Sequence, residues 1–110
     1  MILVEKNEGR KINYSLEGTK ITFGGMLSVD LEKYEREDTY TIYICSDREG
    51  GLFNSLCPDL AYAAEIVIPA RRYRARQKAV YQGNMPVVQR DPVPFDIDAC
   101  TLILWAVDEA

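Results

Sequence analysis

The chain has 110 residues, thirteen Lys and Arg against seventeen Asp and Glu, a net charge of −4, three cysteines and no histidine. That length fits a single domain, 1–110, with room for one core. Without histidine the chain lacks the usual general base, the usual activator of a nucleophile and the commonest metal ligand, and no apolar run approaches the ~20 residues of a membrane-spanning helix.

Residues 2–5 read as a first strand. The opening apolar run is too short for a secretory signal, and Glu5 follows at once; the expected compartment is the cytoplasm. In 11–16, Ile12, Tyr14 and Leu16 alternate with Asn13 and Ser15, the pattern of a half-exposed strand. Glu17-Gly18 offers a tight turn into a strand over 19–23, with Ile21 and Phe23 inward. Gly24-Gly25 then interrupts as a turn or a bulge. Leu27, Val29 and Leu31 alternate with Ser28, Asp30 and Glu32, giving another strand. The charged run 33–38 reads as a loop or one helical turn.

Residues 39–45 form the second strongest strand, with Tyr40, Ile42 and Ile44 on one face and Thr41, Tyr43 and Cys45 on the other. Residues 46–63 are irregular, and 59–64, after Pro58, read as a short helix. A strand over 64–68 follows, interrupted by Pro69, which belongs at an edge, a strand start or a bulge. Residues 70–81 fit a helix or a strand. The strand is preferred, because Tyr73 is followed by Arg76 and Gln77 and leaves no apolar stripe at helical spacing. It places Arg72, Arg74, Arg76 and Lys78 on one face and Tyr73, Ala75, Gln77, Ala79 and Tyr81 on the other. Gly83-Asn84 turns the chain into a short strand over 86–89. Residues 91–94 are extended, as pre-proline residues require, and 96–98 lead into the closing strand.

That closing strand, 99–107, carries no charge, no Gly and no Pro. Thr101, Ile103, Trp105 and Val107 point one way, and Cys100, Leu102, Leu104 and Ala106 the other. Both sets are nearly apolar, which predicts a strand covered on both faces, with 39–45 as a neighbour and Trp105 buried. The strands and their turn spacing predict an all-β domain, an antiparallel β-sandwich or a partly open barrel with at most one short helix. A jelly roll is the nearest specific form.

Cys45, Cys57 and Cys100 are odd in number and lack CxxC spacing. Cys45 and Cys100, inside apolar strands, are expected as buried free thiols, and Cys57 as an accessible one. Asp96 and Asp98, with Asp91 near, could hold a hard cation, but the calcium-loop spacing is absent; the expectation is no metal and no cofactor. Ser55 and Cys57 lie near Asp59, but no base stands beside them, so no catalytic residue and no enzyme activity are expected. A cleft joining two of Asp91, Asp96 and Asp98 to a Tyr or Arg would reopen that question.

Charge is segregated. Arg71, Arg72, Arg74, Arg76 and Lys78 fall within eight positions without an acid, while the remainder holds eight basic and seventeen acidic residues, +5 against −9. An acidic body repels nucleic acid and anionic membranes. The expected function is a non-catalytic interaction or assembly module, of the kind phage-like assemblies use by analogy of fold class alone. It would self-associate or meet an acidic protein through Arg72, Arg74, Arg76 and Lys78, for which the acidic run 30–38, in the same chain or a neighbouring subunit, is the nearest source of opposite charge. Two alternatives stand beside it. One is a small-molecule barrel with 46–63 as lid and Tyr40, Tyr43 or Trp105 lining the cavity. The other is oligonucleotide binding through 71–78 with Tyr73 and Tyr81 for stacking, although the strand sets those tyrosines on the face opposite Arg72, Arg74 and Arg76.

Overall fold

Alternating apolar residues and frequent turn signals give this chain strands rather than helices. The computed structural model describes residues 1–46, 51–54, 61–75, 80–87 and 90–107. A five-stranded sheet runs in the order β1 (Ile2–Glu5), β12 (Thr101–Leu104), β7 (Ala61–Ile68), β5 (Tyr40–Ser46), β6 (Leu52–Asn54). A three-stranded antiparallel sheet is formed by β2 (Tyr14–Glu17), β3 (Lys20–Phe23) and β4 (Leu27–Asp30). Among the described residues the helical structure is two 3-10 turns, Leu31–Tyr34 and Ile97–Ala99. The all-β reading with antiparallel strands therefore holds, and the pairing does not support the jelly roll.

One buried cluster draws on both sheets. Ile21, Phe23, Val29 and Leu31 share one buried cluster with Ile42, Ile44, Ala64, Ile66, Ile68, Cys100, Leu102 and Leu104. On β12 and along most of β5 and β7 the buried residues are the even-numbered ones, as a period of two requires; Cys45 and Ala63 are buried as well, where the β5–β7 register shifts. Gly18 turns β2 into β3 at φ +60°, as a two-residue hairpin loop between Glu17 and Lys20.

Several expectations are corrected. β12 does not neighbour β5: β7 lies between them, antiparallel to both, and β1 pairs with β12 in parallel. Residues 61–64 are strand, not helix; the run is too short to close helical turns and finds a ladder on β5 instead. The closing strand is buried on one face only, with Thr101, Ile103 and Trp105 half-buried on the other. Cys45 is buried as expected, but it is disulfide-bonded rather than free. Cys100 is free and buried. Cys57 lies outside the described residues, as do Ser55 and Asp59.

Residues 73–92 are built differently. β8 (Tyr73–Ala75) pairs antiparallel with β11 (Arg90–Pro92), and β9 (Val80–Gln82) with β10 (Met85–Val87). The two ribbons are nested in sequence, β9–β10 between β8 and β11, and their described residues are called the arm. At its tip Gly83 takes φ +65° at the first of two turn positions, the type II′ geometry that glycine reaches without strain. The arm residues whose burial is described are all exposed. Within 70–81, Tyr73–Ala75 and the start of Val80–Gln82 are strand as expected, 70–72 are not, and 76–79 lie outside the described residues. The radius of gyration is 18.4 Å and the extents are 67 × 25 × 23 Å, against roughly 13 Å for a compact domain of this length. The molecule is a body with an arm.

Candidate functional site

The arm is fixed at its root, and beyond it the residues whose burial is described are exposed. Pro69 ends β7, and the backbone N–H of Arg71 donates to Arg36 O at 2.7 Å. The Arg71 guanidinium then grips the 3-10 segment's exit. Nε donates to Glu35 Oε1 at 3.3 Å, Nη2 to Glu35 O at 3.2 Å and Nη1 to Glu37 Oε1 at 3.1 Å. The Tyr73 hydroxyl donates to the same Glu37 oxygen at 2.5 Å. Glu35 pushes the Arg71 guanidinium above its ordinary range, and the bond to Glu37 pushes the Tyr73 phenol up. Arg36 lies over the Tyr40 ring at 4.1 Å. On the other strand, Val93 N donates to Arg72 O at 2.8 Å, and Arg72 meets Asp96 at 3.6 Å.

The expected pairing of the basic run with the acidic run 30–38 thus exists within the chain, but through Arg71 at the root. Of the predicted interaction residues, Arg72 is exposed and paired to Asp96, and Arg74 is exposed. Arg76 and Lys78 lie outside the described residues. Arg90, not singled out from sequence, is exposed on β11 opposite Ala75, while Asp91 stands opposite Arg74. Cross-strand partners share a face, so Arg74 and Arg90 project from opposite faces of the ribbon. Tyr73 is 39% exposed and Met85, beside the tip, 71%.

The remaining candidates are placed as follows. Asp96 pairs with Arg72 and caps the Ile97–Ala99 turn by accepting from Asp98 N at 3.0 Å; Asp98 pairs with the N-terminal ammonium at 3.3 Å. Among the described residues no three His, Cys, Asp or Glu gather as metal ligands. Tyr40 and Tyr43 lie on opposite faces of β5. Tyr40 packs against the core and stacks on Tyr34 at 5.9 Å. Tyr43 joins Tyr62 at 5.6 Å, and Tyr62 joins Trp105 at 6.0 Å, on the outer face of the five-stranded sheet. Tyr40, Tyr43 and Trp105 therefore do not line one cavity.

Trp105 is corrected from a buried anchor to a half-buried member of this outer row. Its Nε1 donates to Glu65 Oε2 at 2.8 Å, and Lys6 Nζ lies 5.5 Å from its ring. Trp105→Ala should cost about 1–2 kcal/mol, from one charge-assisted hydrogen bond and two ring contacts, rather than the ~3–5 of a buried aromatic. Urea unfolding of the variant measures it, and a loss above about 3 kcal/mol would mean that this face is covered.

Comparison with family models, with curated proteins and with solved structures finds no match to the chain. Among the described residues, no helix is long and apolar enough to cross a membrane.

Proposed function

We propose that the protein is a non-catalytic assembly module that self-associates through its hairpin arm. The observation that carries this reading is that the arm residues whose burial is described, Tyr73, Arg74, Gln82, Gly83, Asn84, Met85, Arg90, Asp91 and Pro92, are all exposed. A lone two-stranded hairpin is marginal in water and gains stability when a third element covers it. Its root is clamped by Arg71 and Tyr73, so the arm leaves the body in a defined direction, which lowers the entropic cost of presenting it to a partner. The lack of a catalytic role is supported by the absence of histidine and by Asp96 and Asp98, each engaged in structural contacts. The disulfide at Cys45 fits an oxidising compartment better than the cytoplasm.

The test replaces 74–91 by an Asn-Gly turn between Tyr73 and Pro92. The shortened chain should keep a β circular dichroism spectrum and a cooperative thermal transition. In sedimentation it should run as a monomer, where the full chain runs as a multiple of its 12.5 kDa mass. A full chain that is monomeric at high micromolar concentration refutes the reading, and so does a shortened chain that assembles equally well.

A further inference from the structure

We propose that β1 pairs with β1 of a second copy, antiparallel about a twofold axis at Leu3, and so joins two five-stranded sheets edge to edge. This contact is additional to the arm, and it rests on the assembly reading in that the arm brings the copies together.

β1 stands at one end of the five-stranded sheet, with β12 as its neighbour. Ile2 N donates to Cys100 O and Lys6 N to Leu104 O, each at 2.8 Å. Backbone groups alternate in direction along a strand. Those of the even-numbered residues therefore face β12, and those of Leu3 and Glu5 face outward. Among the described residues no strand pairs with that outward edge. The side chains are uncovered as well: Ile2 is 54%, Leu3 50% and Val4 41% exposed. Natural edges are blunted by Lys, Pro, a bulge or a very short strand. Ile2–Glu5 carries no Lys and no Pro, and its register with β12 runs without a shift. The other edges differ. β6 is three residues long and ends in Asn54, and β2 alternates Tyr14 and Leu16 with Ser15 and Glu17.

The sequence of β1 selects its occupant. Ile2-Leu3-Val4 has a β-branched residue on each side of Leu3, so the strand is its own complement. With the axis at Leu3, Leu3 lies opposite Leu3 and Ile2 opposite Val4, apolar pairs that favour the ladder. An axis at Val4 would set Leu3 opposite Glu5 and Ile2 opposite Lys6. An axis at Glu5 would oppose two like charges, which destabilises a strand pair. The faces also match. Ile2 and Val4 share the outer face with Thr101 and Ile103, and Leu3 lies on the side of Leu102, so each face continues into the second copy. A twofold contact of this kind is closed and uses up the edge of both copies.

The pair is about 13 Å long, from four residues at about 3.3 Å each, and covers far less than the about 1,200 Å² of a stable interface. It is an auxiliary contact, felt once the arm has raised the effective concentration of the second copy.

Hydrogen exchange on the full chain, assembled and then diluted until monomeric, tests the pair. The amides of Val4 and Lys6 face β12 and should stay protected in both states. Those of Leu3 and Glu5 should exchange at least tenfold more slowly in the assembled chain. Leu3→Pro removes the outward donor and leaves the β12 bonds, a placement that edge strands tolerate. It should weaken self-association at least tenfold, while the diluted variant keeps a cooperative unfolding transition. Leu3 and Glu5 amides that exchange fast in the assembled chain overturn the β1 pair and leave the arm reading standing; a β1 edge that serves a strand of another protein gives that same result. A chain lacking 74–91 that assembles with these amides protected supports the β1 pair and overturns the arm reading. A wild type that is monomeric at high micromolar concentration overturns both.

Discussion

Phe23→Ala should remove about 3–5 kcal/mol of folding stability, the range for truncating a fully buried aromatic. Phe23 is fully buried at the end of β3 and sits in the cluster shared by both sheets. Its neighbours cannot collapse freely into the space. Its backbone is held in register with Tyr14 and Leu27, and the next residue, Gly24, donates its N–H to Asn13 O at 2.8 Å. A β-carbon at Gly24 would already meet Leu52 Cδ1 at 3.3 Å, so the chain there is tightly packed. Domains of this size hold about 5–15 kcal/mol in total, so the variant should sit near the edge of folding. Urea titration gives the value, with Met26→Ala as control. Met26 is 65% exposed three residues beyond the strand and should change stability by less than about 0.5 kcal/mol. A loss under about 1.5 kcal/mol at Phe23 would mean that the two sheets do not share a core.

The same core was the most legible part of the sequence. Ile21 and Phe23, Val29, and Ile42 and Ile44 stand two apart between polar or half-polar neighbours, and sheets with one buried face write that pattern directly. The 61–64 segment was not legible, because alanine is a helix former and only its ladder to β5 makes it strand. The position of β12 was hidden for a different reason. Its parallel pairing with β1 joins residues some hundred positions apart, which local alternation cannot encode. Its outer face reads as apolar from Ile103 and Trp105, yet it is only half covered. The arm was half legible. Its strand character followed from the missing helical stripe, and its charge from the run Arg71 to Lys78. Its detachment left a fainter trace: the face opposite the arginines offers Tyr73, Ala75, Gln77, Ala79 and Tyr81, too little apolar volume for a sheet to bury. Arg90 returns beside that run only through the β8–β11 register.

Reduction should destabilise the protein by about 2–4 kcal/mol, the usual contribution of one disulfide. The odd cysteine count and the apolar surroundings of Cys45 concealed the bond, since buried cysteine in a strand normally serves as a small hydrophobe. Cys45 follows the irregular step between Ile44 and Cys45 in the β5–β7 ladder, opposite Tyr62 and Phe53. It therefore lies where β5 leaves its regular pairing, and a covalent tie there limits the unfolded chain more than it strengthens the core. Cys100 is unlike it. Burial pushes its thiol up to about 11, so at pH 8 almost none is thiolate, and native Cys100 should be inert to a thiol reagent. Unreduced protein unfolded in guanidinium should titrate one thiol per chain, and reduced protein three. Native protein should titrate none until reductant is added, and urea curves with and without reductant should then separate by the stated amount. Three thiols in unreduced protein, or superimposable curves, would remove the disulfide from the account of stability and restore the free-thiol reading of Cys45.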